Sequence, residues 1–242
     1  MLLRCLKVEI LKCKRSPVWL AFLVLPLFPA VLGTVNYLGN QEVLENGWYS
    51  LWSQHTLFSS MFFLPAQFGV FCAWQWRLEH TDHNWNSVMT APVPVRDLCL
   101  GKLALAAGVS LLAQACIGAL FLISGKLVGL SGAVPPELPG WLLFGAVGGV
   151  SVCAVQLLLS QVIRAFAPPV AIGLMGGILG LMVTSQGLGY AFPYSLLCLG
   201  MRANNPRMEL EVAPFLLSGL LYTVACTALT VRRIRHRDVM AE

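Results

Sequence analysis

Six stretches of the chain, 17–38, 56–76, 103–125, 141–163, 166–184 and 212–231, contain no Asp, Glu, Lys, Arg or His. A hydrocarbon layer of about 30 Å takes roughly 20 apolar residues to cross as a helix, and each stretch comes close to that length or exceeds it. Backbone in hydrocarbon must hydrogen-bond to itself, so these runs are helices rather than isolated strands. Composition agrees: 57% of residues are hydrophobic and 11% are charged, against about 25% charged in soluble domains. The expected fold is all-α, a polytopic membrane protein whose six spans form one domain over residues 1–242.

Basic residues give the orientation. With both termini on the cytoplasmic side, all of the 16 Lys and Arg residues except Lys126, Arg202 and Arg207 lie inside, as the positive-inside bias requires. The runs CKR (13–15) and RRIRHR (232–237) then follow from topology and anionic lipid headgroups, and no nucleic-acid partner is needed. The first span is read as retained rather than as a cleaved signal, because it is long, holds Pro26 and Pro29 and lacks a small-x-small cleavage site. The eight cysteines form no CxxC pair and read as small buried apolar residues.

Residues 1–16 combine Leu2, Leu3, Leu6, Val8, Ile10 and Leu11 with Arg4, Lys7 and Lys12, the pattern of an interfacial helix. Between the first two spans, Trp48, Tyr49 and Trp52 read as headgroup-level anchors beside Glu42 and Glu45. In the connection over 186–211, the apolar piece 188–201 is too short to cross and contains Pro193, which suggests a re-entrant or interfacial element. Gly145 with Gly149, and Gly176 with Gly180, form GxxxG pairs that pack helices either within the chain or against another subunit. Gln67, Gln114 and Gln156 put neutral polarity into the spans, for interhelical hydrogen bonds or for lining a path.

Several chemistries lack their residues. No GxxxxGK[ST] phosphate loop and no HExxH are present. Charge-free spans count against a proton- or sodium-coupled carrier and against an intramembrane enzyme. No catalytic residue can be named.

The longest polar tract between spans, RLEHTDHNWNSVMTAPVPVRDLCLGK (77–102), is the most informative segment. His80 and His83 stand at i, i+3, but zinc needs three or four ligands, and no metal site is expected. Residues 77–90 are expected to prolong the second span as a helix, ended by Pro92 and Pro94. Asn84, Trp85, Asn86 and Met89 would then face the cytoplasm, a mixed surface suited to a groove on another protein. A solvated loop is the plainer reading.

The basic amphipathic start, six spans and the R-x-E…N…M…APV-PV…K tract resemble the permease subunits of type-2 ABC exporters. Within that class, NGWYSLWSQHTLF (46–58), WRLEHTDHNWNSVMTAPVPV (76–95), PPELPGW (135–141) and YSLLCLGM (194–201) resemble permeases of lantibiotic-immunity transporters. The resemblance implies that 77–102 is a coupling segment seated on a separate ABC ATPase, with Arg77, Glu79, His80, Asp82, Asn84, Trp85 and Asn86 as contacts. It implies no cofactor on this chain, with ATP and Mg bound by two ATPase copies, and a second six-span permease, identical or related. The bacterial plasma membrane would be its site, and a cationic amphiphilic peptide its cargo. Substrate-facing candidates are Gln67, Gln114, Gln156, Glu42, Glu45, Trp48 and Trp52. An exporter of another amphiphile and a non-transporting scaffold or sensor are the alternatives.

Overall fold

The computed structural model describes residues 1–14, 16–81, 84–85 and 90–236. Among them the regular structure is helical, with no strand. Helix α1 (Leu2–Cys13) is followed by α2 (Val18–Val24) and α3 (Leu27–Gly39), which together make the first apolar span. The break between them falls at Pro26, whose ring and missing N–H interrupt the ladder. Next, α4 (Trp48–Phe58), a π-helical turn (Ser59–Phe63) and α5 (Leu64–His80) form one continuous second span. The remaining spans are α6 (Val95–Leu127), α7 (Leu138–Val162), α8 (Ala167–Ser185) and α10 (Val212–His236), with the short α9 (Pro193–Gly200) before the last. Among the described residues six helices are therefore long and apolar enough to cross a membrane, as expected.

Most helices run past the bounds expected from sequence, and the two largest extensions are at starts. The second span starts at Trp48, not 56, and the third at Val95, not 103. The added turns carry ionisable side chains, among them His55 and Lys102. Both are buried, and each has a partner that makes burial tolerable: His55 Nε2 lies 2.9 Å from the Thr34 hydroxyl, and Lys102 is ion-paired.

The expected headgroup anchors also move inward. Trp48 and Trp52, one helical turn apart, face the bundle. Trp52 stacks on Trp141 at 5.3 Å and meets Phe121 edge-on at 5.0 Å. Its indole N–H donates to the Met201 carbonyl at 2.9 Å. Because α4 is already helical at Trp48, both rings are placed on the core side, where the indole N–H of Trp52 finds a carbonyl.

Close backbone contact holds the spans together, as expected where lipid supplies no hydrophobic drive between helices. The π turn precedes Pro65, which cannot donate to the Met61 carbonyl. That carbonyl faces Gly177 of α8, where a Cβ would come within 2.4 Å. The GxxxG glycines meet elements of this same chain: Gly145 faces Met201 and Gln114, Gly149 faces Ser110, and Gly176 and Gly180 face Tyr194. Gly148, not singled out from sequence, matters as much, since a Cβ there would lie 2.4 Å from the Leu196 carbonyl. Glycines of α7 and α8 thus make the slot for α9, every residue of which is buried.

Candidate coupling site

Helix α1, the start of α6 and the ends of α5 and α10 gather at one end of the bundle, the basic end. Cys5 of α1 lies against Gly101 of α6, and the buried stripe of α1 is Cys5, Glu9 and Cys13, four residues apart. Leu3, Ile10 and Leu11 point away. A carboxylate in the middle of a buried stripe needs a counter-charge, because an unpaired buried ion costs several kcal/mol, on the order of 3–5.

Two lysines supply it. Lys102 Nζ donates to Glu79 Oε1 at 2.9 Å, to Glu9 Oε2 at 3.2 Å and to the Gln75 carbonyl at 3.1 Å. Its three N–H groups are therefore all used, and the ammonium also sits 5.0 Å from the centre of the Trp76 ring. Lys12, one turn along α1 from Glu9, bonds Glu9 Oε1 at 2.8 Å and also reaches Glu79. Burial disfavours the charged form of Lys12, but the carboxylates of Glu9 and Glu79 outweigh it and raise its pKa above the ordinary lysine value. Lys102 and Glu79 are 0% exposed and Glu9 is 1% exposed. Two acids and two bases cancel, and they tie α1, α5 and α6 at a single point.

The polar tract departs from its expected shape here. Helix α5 stops at His80, and Thr81 is extended (φ −92°, ψ 154°), so no continuous helix runs over 77–90. The Asn84 amide turns back to donate to the Leu78 carbonyl at 2.9 Å, using an end carbonyl of α5, and to Glu79 Oε2 at 3.0 Å. Trp85 folds under the same end. It stacks on Trp76 at 5.8 Å with planes 20° apart, and its indole N–H donates to His80 Nδ1 at 2.8 Å. His80 is thereby held with its proton on Nε2.

The candidate contacts sort accordingly. Arg77 is exposed, its guanidinium 5.9 Å from the Phe166 ring in the turn between α7 and α8. His80 and Asn84 are half-buried. Glu79 and Trp85 are buried, so the reading of these two as direct contacts presented to a partner is corrected: an ion pair and an aromatic stack hold them inside. Asp82 and Asn86 lie outside the described residues. The partners of Glu79, namely Glu9, Lys12 and Lys102, were missed as site residues. The signal was there in part: Glu9 is the lone acid of a basic helix, at i, i+4 from Cys5 and Cys13. Among the described residues no group of His, Cys, Asp and Glu could hold a metal.

Of the other candidates, Glu42 and Glu45 are exposed near the far end of the bundle. Gln156 is satisfied once its amide is oriented to suit its neighbours: the oxygen then accepts from the Tyr194 hydroxyl at 2.9 Å and from Gly173 N at 3.1 Å, and the nitrogen donates to the Pro169 carbonyl at 3.1 Å. Gln67 and Gln114 are equally buried, but both ends of each amide lack a partner among the described residues.

Residues 5–180 match the family model described as ABC-2 family transporter protein. No curated protein matches the chain.

Proposed function

Since the chain belongs to the ABC-2 family of transporter proteins, and is thus a multi-pass membrane permease subunit of an ABC transporter, we propose that it couples a partner ATPase to export of a cationic amphiphilic peptide. The observation that carries the coupling half is the four-charge cluster. A push on the 77–102 segment reaches Glu79 within two residues, and Glu79 is bonded to both α1 and α6. The segment cannot move without taking the surface helix and the third span with it. Arg77 and the exposed rim of the tract are then the ATPase contacts, while Glu79, Trp85 and Lys102 form the lever behind them.

In this reading the basic end is cytoplasmic, two ATPase copies serve two permeases, identical or related, and the pair encloses a path. Burying an unpartnered amide costs about 1–3 kcal/mol. Gln67 and Gln114 therefore favour any conformation in which they meet water or cargo, which supports their place on the path. Peptide cargo is supported by the sequence resemblance and by the acids Glu42, Glu45, Glu137, Glu209 and Glu211 on the far side, which favour a cation. Helix α9 acts in this reading as the re-entrant element between the last two spans.

The test is a gentle-detergent pull-down of the tagged chain from native membranes, followed by peptide-tolerance assays. Co-purification of an ABC ATPase with a second six-span permease is expected. Recovery with a soluble regulator and no ATPase would replace transport by a scaffold or sensor role. Neutralising both Glu42→Gln and Glu45→Gln should lower tolerance of a cationic peptide; unchanged tolerance removes the acidic rim from the mechanism.

A further inference from the structure

At the basic end a groove of about 570 Å³ runs between α6 and α10, on a side of the bundle away from the four-charge cluster. Its walls follow from helical spacing. Arg96, Leu100 and Leu103 stand at i, i+4 and i+7 on α6, and Val224, Val231 and Arg235 at i, i+7 and i+11 on α10. Along both helices the stripe is apolar toward the middle of the span and turns to arginine at the end, where Arg232 and His236 join it. Arg96, Arg232 and Arg235 are exposed, and none of them forms an ion pair among the described residues. No acid among the described residues lines the groove.

We propose that this groove is a binding site for one anionic phospholipid of the leaflet on the basic side. An acyl chain would lie along Leu100, Leu103, Val224 and Val231, with the phosphate among the guanidiniums of Arg96, Arg232 and Arg235. An apolar slot closed at its end by cations fits a molecule that is apolar along its length and anionic at one tip. Guanidinium forks pair with phosphate oxygens bidentately, and basic pockets between spans on the cytoplasmic side bind such headgroups. A second copy of this chain is the poorer occupant, because among the described residues it has no free acid to offer at this end. Glu9 and Glu79 are buried in ion pairs, and Asp97 faces the amino group of Met1 at 3.9 Å. The site rests on the basic end lying at a membrane surface and not on the choice of cargo.

The experiment places the purified chain in phosphatidylcholine nanodiscs containing phosphatidylglycerol, then counts the lipids that survive detergent extraction by native mass spectrometry. The wild-type chain should retain one phosphatidylglycerol in preference to phosphatidylcholine. The paired change Arg96→Gln with Arg235→Gln should weaken that retention by about tenfold or more. Arg4→Gln with Lys7→Gln, which removes equal charge from exposed positions on α1, should leave it intact. Ala228→Trp, which fills the groove and keeps every cation, should also abolish retention, and this arm holds if the arginine pair fails to fold. Equal loss in both charge variants, retention by the Ala228→Trp chain, or no preference in the wild type would overturn the site. So would spontaneous cross-linking of two copies through Ala228→Cys, which would give the groove to a helix. ATPase co-purification is read separately, so its failure and the failure of this site stay distinguishable.

Discussion

The second span, Trp48–His80, solves burial in two ways at its two ends. Toward its start, Trp48, Trp52 and His55 gather around Phe121 by ring contacts, and a single indole N–H is tied to a carbonyl. Toward its finish, Glu79 is held by two lysines that also hold Glu9. Aromatic packing is a sum of many small contacts, each ring pair contributing about 0.5–1.5 kcal/mol. The ionic end is less forgiving: loss of any single member leaves an uncompensated buried charge. One end tolerates trimming, whereas the other fails when any member is removed, which suits a junction that has to transmit motion.

The comparison breaks first at the ionic end. Lys102→Met leaves two buried carboxylates facing Lys12 alone, and should cost about 3–5 kcal/mol, seen as a lower unfolding temperature in detergent. Adding Glu79→Gln to Lys102→Met should recover much of that loss, since Lys12 and Glu9 remain paired; failure to recover would mean that packing, not charge, dominates there. Trp52→Phe at the aromatic end should cost less, about 1 kcal/mol for the indole bond to Met201 plus part of a ring contact. Smaller still is the contrast among amides. Gln156→Leu should lose about 1 kcal/mol, whereas Gln67→Leu and Gln114→Leu should be neutral or gain stability while slowing transport. At the low end, Arg77→Ala should leave unfolding unchanged, within about 0.5 kcal/mol, yet weaken ATPase capture. Loss of stability without loss of capture would invert the roles given to the rim and to the lever.

Six spans were legible because length and absence of charge are properties of the chain alone. Their ends were not, because Trp48–His55 and Val95–Lys102 are polar or aromatic segments that become helical only when tertiary partners satisfy them. The ionic cluster was half legible. Glu79 and Lys102 both stand in the tract that resembles the permease family, but nothing in a spacing of 23 residues shows that they meet. Glu9 was not singled out on a helix read for its leucines and basic residues. Trp85 was expected outward because a lone tryptophan in a polar tract looks like an anchor; the turn at Thr81 sends it under Trp76 instead. The GxxxG pairs were visible as close-approach surfaces, while their chief guest, α9, was visible only as an apolar piece too short to cross.

The π-helical turn at Ser59–Phe63 has a bearing on how this span tolerates length changes. Such a turn holds one residue more than an α turn, so all that follows is rotated by about 100° relative to an unbroken helix. Trp52 and Glu79 point to their separate partners because of that single added step in phase. Deleting any one residue there would straighten the span, leave the aromatic end in place and swing the carboxylate of Glu79 about a quarter turn away from Lys102. The span works as a shaft with a fixed angular offset between its two ends, and a change in its length at this point would alter timing rather than reach.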